Sequence, residues 1–364
     1  MCMSVSRFFR FLACFCLVLL FLSGTAVGEK TILLTFTGDC TIGCTELTRN
    51  LPDSFDSIIT REGYQYPFLN YLDLFAEDDC TVINMEGVLS DSHADEQKGK
   101  TFRFRGKTDY VKILTGASIE ATGLANNHIN DFGAQGMNAT KKTLEENGIH
   151  WFYVQDIWIL EKDGIRIAFV SADETTTNKY FYQIRDSILQ LKSENKADAI
   201  VVCYHSGTEY SLRHDRTQER MANSFINCGA DLIIMNHSHV VQGIQQINNR
   251  SVCYALGNFV FGGNNIIKTK KQGSMTATAL YCMVVRAELR FSDDGTYLGQ
   301  QLTLYPGFAS DDPEWNHYQP RPVHGEDADL VIAAVQYDTP FRLPEITRTE
   351  TFDYVALPYL RAEN

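Results

Sequence analysis

Ala125-Asn126-Asn127-His128-Ile129-Asn130-Asp131-Phe132-Gly133 is the stretch around which this chain is organised. Before it, residues 118–124 read as a short buried strand. After it, residues 134–147 read as a helix with Leu144 on a partly apolar face and Gly148 as its stop. Two amides, an imidazole and a carboxylate therefore fall where a strand ends and a helix begins, the place where open α/β sheets hold ligands. Taken alone, the segment reads equally well as a loop whose Asn and Asp cap the next helix. Four other strand ends of the same kind tip the balance.

Working outward, residues 30–37 form a β-branched run that ends in Gly38-Asp39, and residues 80–83 form another that ends in Asn84-Met85-Glu86-Gly87. Residues 199–203 lead into His205-Ser206-Gly207-Thr208-Glu209-Tyr210, and residues 231–235 into Asn236-His237-Ser238-His239. Residues 166–170 and 251–256 are further strands, the latter running into Gly257-Asn258-Phe259. Helical stretches are expected at 66–76, near 108–115, at 180–191 and at 217–228, the last closed by Gly229. Strand and helix alternate, which predicts a layered α/β fold. Residues 276–305 change to long alternating runs with a turn at Asp293-Asp294-Gly295, an antiparallel hairpin. Residues 90–100 are polar and without period. Arg103 and Arg105 alternate with Phe102 and Phe104, as on a strand with one wet face.

The amino terminus reads as a secretory signal. Arg7 and Arg10 precede an apolar run at 11–22, and small residues follow to Gly28. Expected parts are thus a signal at 1–28, one domain at 29–305, and a tail at 306–364, rich in Pro, Asp and Tyr, that wraps the surface or is partly disordered. The expected place is outside the cell or in the envelope, anchored to the membrane if the signal stays uncut. The run is shorter than the roughly 20 residues of a spanning helix, which favours cleavage.

Of 364 residues 21% are charged, with a formal net charge of −13. So acidic a chain lacks the basic footprint of a nucleic-acid binder, and no nucleic-acid partner is expected. Seven cysteines follow the signal, an odd number scattered through apolar runs, which is no disulfide framework. Pairing of Cys40 with Cys44 stays open.

The polar residues that end the strands are Asp39, Asn84, Glu86, Asn127, His128, Asp131, His205, Glu209, His237 and His239. Of nine histidines in the chain, four sit in these segments. Carboxylates mixed with imidazoles suit Mn, Zn or Fe. His237 and His239, two apart, would point the same way if extended and so reach one centre. Two ions about 3.5–4 Å apart, bridged by a carboxylate, would activate water for attack on phosphorus or carbon.

These motifs, together with Tyr254-Ala255-Leu256-Gly257-Asn258-Phe259-Val260-Phe261, occur in the order seen in the capsule-synthesis CapA family, which the chain resembles from about residue 31 to 261. That family is associated with poly-γ-glutamate production and is similar to calcineurin-like metallophosphoesterases. The resemblance implies a layered sandwich of two β-sheets flanked by helices, with a two-metal site at the sheet edges. It implies Asp39, Glu86, Asn127, His205, His237 and His239 as ligands and His128, with Asp131, as the acid or anion-stabilising group. Asn84, Glu209 and Asn258 are expected to meet substrate. The chain departs from the pattern in places. Cys40-Thr41 follows Asp39 where metallophosphoesterases have Asp-x-His, Glu86 replaces a bridging Asp, and Ser206 stands where CapA proteins carry Trp.

Two functions are expected to compete. One is a metal-dependent hydrolase or transferase of phosphoester or amide bonds, working in capsule or poly-γ-glutamate synthesis on an anionic polymer or a small-molecule substrate. The other is a non-catalytic factor that binds the polymer or the membrane-bound capsule synthesis machinery. A periplasmic-type small-molecule binder would fit export but leaves the histidines unexplained.

Overall fold

A two-residue alternation builds the strands. In Glu29–Thr41 the side chains of Ile32, Leu34 and Phe36 share one buried face, and pairing continues through Asp39 to Thr41, past the end expected at Thr37. The computed structural model describes residues 28–272 and 275–362. The run read as a signal lies outside them. Among the described residues no helix is long and apolar enough to cross a membrane.

Two sheets result. The larger runs Arg321–Pro322, Tyr297–Phe308, Tyr281–Ser292, Glu29–Thr41, Cys80–Met85, Ala121–Gly123, His150–Phe152, with Asn258–Phe261 also paired to Glu29–Thr41. The smaller runs Ile244–Ile247, Arg250–Cys253, Leu232–Asn236, Ala199–His205, Ile165–Asp173, Trp158–Lys162. The sheets face each other across one core that includes Leu34, Phe36, Ile167, Phe169, Val201 and Ile234. On Ala199–His205 the alternate residues Ile200, Val202 and Tyr204 point outward into a second core under the helices Glu174–Ser193 and Arg216–Cys228. Outside the larger sheet, Ile83 and Met85 pack with Phe55, Phe68, Phe75 and Leu144 from the other helices. Each fully buried Leu, Ile or Phe contributes about 1.5–3 kcal/mol. The expected sandwich of two β-sheets flanked by helices is what forms.

The helix read at 180–191 follows a kink at Tyr180, and a first helical segment precedes it from Glu174, where Asp173 at the strand end accepts from the Thr176 N–H and forms a capping box. The stretch 66–76 divides into a 3₁₀ turn, Tyr66–Tyr71, and a short helix, Leu72–Ala76. The hairpin is Tyr281–Ser292 against Tyr297–Phe308. A smaller one, Thr269–Gln272 against Met275–Thr278, was not legible. Beyond residue 305 the chain adds a helix, Gly325–Asp338, and strands Val355–Ala356 and Leu360–Arg361 on Tyr297–Phe308. Cys40 and Cys44 are not paired. Cys40 Sγ lies against Thr37 Oγ1 and Cys44 Sγ accepts from the Asp56 N–H.

One close approach sets the geometry of the strand ends. A Cβ on Gly38 would lie 2.2 Å from the Gly257 carbonyl oxygen, which already accepts the Asp39 N–H at 2.9 Å. Gly38→Ala should therefore destabilise the protein by about 3 kcal/mol, the upper end for forced overpacking. Urea unfolding tests this, and a loss below about 0.5 kcal/mol, the scale of an ordinary surface change, would contradict it.

Candidate metal centre

Register brings the polar strand ends level. Asp39 stands opposite Asn84 on one side and Asn258 on the other, and His205 stands opposite Asn236 in the facing sheet. Glu86 follows its strand immediately, its N–H held by the Cys40 carbonyl at 2.9 Å. His237 and His239 follow Asn236, and the His237 N–H donates to Asp39 Oδ2 at 3.2 Å.

Two ligand groups form, and Glu86 belongs to both. Asp39, Glu86 and His239 make one, and Glu86, His205 and His237 the other, with ligand atoms in each within 4.8 Å of one another. His205 Nε2 is 3.6 Å from Glu86 Oε1 and 2.9 Å from Asn127 Oδ1, which adds Asn127 to the second group. His239 Nδ1 is 3.4 Å from Asp39 Oδ2. The idea that His237 and His239 point alike is corrected. Their backbones are not extended but have φ of 110° and 56°, so the two rings part and serve different groups. Positive φ in a non-glycine residue is costly and gathers at functional sites.

Charge and unmet hydrogen bonds both fit a divalent ion. Both carboxylate oxygens of Glu86 are buried without a hydrogen-bond partner, and so is His237 Nδ1. A buried polar atom with no partner is rare and calls for an explanation. Burial, then the neighbouring Asp39, pushes the Glu86 carboxyl well above its usual range. Burial holds His205 and His237 below the ordinary imidazole value, the neutral form that binds metal. Burial also works on His239, but Glu86 and a hydrogen bond with Asp39 outweigh it and raise it to about 9. An imidazolium there partly offsets two buried carboxylates, the task a cation would take over.

Beside the groups stands His128. Its Nδ1 is 2.7 Å from Asp131 Oδ2, so Nδ1–H donates to the carboxylate and leaves Nε2 facing Glu86 Oε1 at 3.7 Å. The Phe104 ring stacks on the imidazole with centroids 4.0 Å apart. Burial lowers the His128 value, and the bond to Asp131 opposes that. Lys100, which ends a polar loop and gave no signal in the sequence, donates to Asp131 Oδ1 at 2.5 Å and to the Asn127 carbonyl at 2.6 Å. Asn126 pins the same loop through the Met85 carbonyl at 2.8 Å and the His128 N–H at 3.0 Å.

Two residues expected to meet substrate also bond ligand candidates. Asn84 donates to Asp39 Oδ1 at 2.8 Å, and Asn258 Oδ1 lies 2.9 Å from His239 Nδ1, so both orient ligand candidates. Glu209 is exposed at the rim. Thr41 occupies the place of the imidazole in Asp-x-His, its hydroxyl buried and unpartnered. Cys40 is buried, its thiol pushed up to about 12 by burial, and is no thiolate ligand. Arg103 and Arg105 are not a wet strand face: they reach Glu96 at 2.9 Å and His93 Nε2 at 2.9 Å.

The chain is 28% identical over 257 residues to the capsule biosynthesis protein CapA of Bacillus anthracis, covering 64% of this chain and 60% of that one. It is 26% identical over 226 residues to the PGA biosynthesis protein CapA of Bacillus subtilis strain 168, covering 57% and 59%. The matched part thus spans about 60% of the length of these relatives. A crystal structure of a hypothetical protein from Thermus thermophilus overlaps 76% of this chain and 99% of that one at a TM-score of 0.43 and 15% identity, too little to bear on fold or function. The family model for the bacterial capsule synthesis protein PGA_cap matches residues 33–263, which takes in every ligand candidate, and the chain belongs to that family.

Proposed function

We propose that this protein is a metal-dependent hydrolase or transferase that works in the cell envelope on an anionic capsule polymer of the poly-γ-glutamate kind. Glu86 carries the proposal: a buried carboxylate with neither oxygen hydrogen-bonded, shared by two ligand groups and faced by the His128–Asp131 pair. The printed names of the relatives, capsule and PGA biosynthesis, support the polymer. The basic and apolar start of the sequence supports export.

Asp39, Glu86 and His239 would hold one ion and Glu86, Asn127, His205 and His237 the other, with Mn, Zn or Fe suited to the mixed donors. When bound, such ions polarise the scissile group and make water acidic. The chain's own residues do the rest. Asp131 accepts from Nδ1–H of His128, fixes its ring orientation and favours the imidazolium, whose Nε2–H is the proton passed to the leaving group. Lys100 holds Asp131 in place, and Asn84 and Asn258 hold Asp39 and His239. Membrane-bound capsule machinery is the proposed partner.

The ligand assignment makes a stoichiometric prediction. His239→Ala and His237→Ala should each leave about one bound ion in place of two, since each ring serves one group only. Elemental analysis of the purified variants decides this, and a full complement in either variant would refute that ligand.

The proposal itself is tested by incubating metal-loaded protein with poly-γ-glutamate and, separately, with a generic phosphodiester. Chain length and newly freed groups are the readout. Turnover of either, abolished by a chelator, supports the reading. Absence of turnover on both, with tight polymer binding, would replace it with the non-catalytic binding role, for which Thr41 in place of an imidazole is the observation in favour.

A further inference from the structure

A run of ring contacts leads outward from the centre. Phe104 stacks on His128 and meets Phe261 at 5.5 Å, and Phe261 meets His239 edge-on at 5.0 Å. Tyr210 lies 5.8 Å from His239. Phe102, two residues before Phe104, is one of the exposed large apolar side chains. Lys268 closes the run: its ammonium sits 5.0 Å from the Phe102 ring centroid and 5.4 Å from that of Tyr210. No carboxylate pairs with Lys268 among the described residues. Rings attract an ammonium through their faces but accept few of its hydrogens, so its N–H donors stay free for an anionic oxygen.

The position is fixed from below. Lys268 precedes the small hairpin Thr269–Gln272 and Met275–Thr278, and the Gln272 side chain bonds the backbone on both sides of Ser211, at the Tyr210 carbonyl and the Leu212 N–H. Glu209 is one of the further charges near the centre. It is exposed, and its carboxylate acts electrostatically on Glu86, His237 and His239. In a chain of net charge −13, an unpaired cation held over two rings beside the centre is a selective feature.

We propose that Lys268, clamped by Phe102 and Tyr210, determines specificity by binding an anionic oxygen group, a carboxylate of the polymer, that lies apart from the bond held at the metal centre. The assignment rests on the proposed function and adds to it a residue that reads the substrate's charge.

The test is binding of a γ-linked glutamyl oligomer to the full, metal-loaded chain, against the same oligomer with its carboxylates amidated and against polyphosphate. Wild type should bind the carboxylate form about tenfold more tightly than the amide, the effect of one charge-assisted hydrogen bond. Lys268→Met keeps the stem over Phe102 and loses the charge, and should erase that preference; Lys268→Arg should keep it. Metal content of each variant shows that the centre is intact. A Lys268→Met protein that retains the preference overturns this proposal and leaves the hydrolase reading standing. A wild type that holds metal yet binds none of the three ligands overturns both. Preference for polyphosphate that is lost in Lys268→Met supports the anion site and reassigns its ligand to phosphate.

Discussion

Glu86→Gln should empty both halves of the centre and lower turnover by at least about a thousandfold, the scale of several kcal/mol of lost charge stabilisation. The amide keeps the shape of the side chain but brings no negative charge, and its NH₂ would aim a donor at a cation. Glu86 alone belongs to both ligand groups, so no other single change should cost as much metal. The metal-free protein should react differently. Burial and Asp39 make a charge at Glu86 expensive there, so the Gln variant without metal should be at least as stable as the stripped wild type. Adding metal at a hundred times its dissociation constant should stabilise wild type by about 2.7 kcal/mol for each ion bound and leave the variant unmoved. Thermal melts with and without metal read both effects. A variant whose melting point still climbs with metal would show that Glu86 is not the bridge.

His128→Ala should retain the metal and lose turnover by about a hundredfold to ten-thousandfold, the usual worth of a positioned general acid. The loss should grow as the leaving group becomes more basic, because a good leaving group departs without a proton. Asp131→Asn should produce part of the same loss, since the amide can no longer fix Nδ1–H and Nε2 then spends time in the wrong tautomer. Equal loss across leaving groups would make His128 an anion-stabilising group and not an acid.

Much of this site was legible because carboxylates and imidazoles recur where apolar runs stop, and parallel strands bring their carboxyl ends to one edge. Asp39, Glu86, Asn127, His205, His237 and His239 all meet there. What the sequence could not reveal was backbone shape. A period of two joins His237 to His239 on one centre only if the chain is extended, and both residues have positive φ. Asn84 and Asn258 have the same chemistry whether they face substrate or brace a ligand, and only register separates the two. Lys100 closes an aperiodic polar loop, so nothing local marks its path to Asp131. The hairpin that follows Lys268 is short, rich in lysine and barely apolar, and gives no alternation to read. The helix Gly325–Asp338 was missed because Pro- and Asp-rich flanks surround its buried Ala328, Val331 and Val335.

A pair of ions joined at Glu86 is tested by elemental analysis of the purified protein after loading with Mn, Zn or Fe, beside Glu86→Gln prepared in the same way. About two ions per wild-type chain and fewer than about half an ion in the variant are the predicted result. A wild type that stays metal-free after loading, or a variant that keeps two ions, would contradict the account.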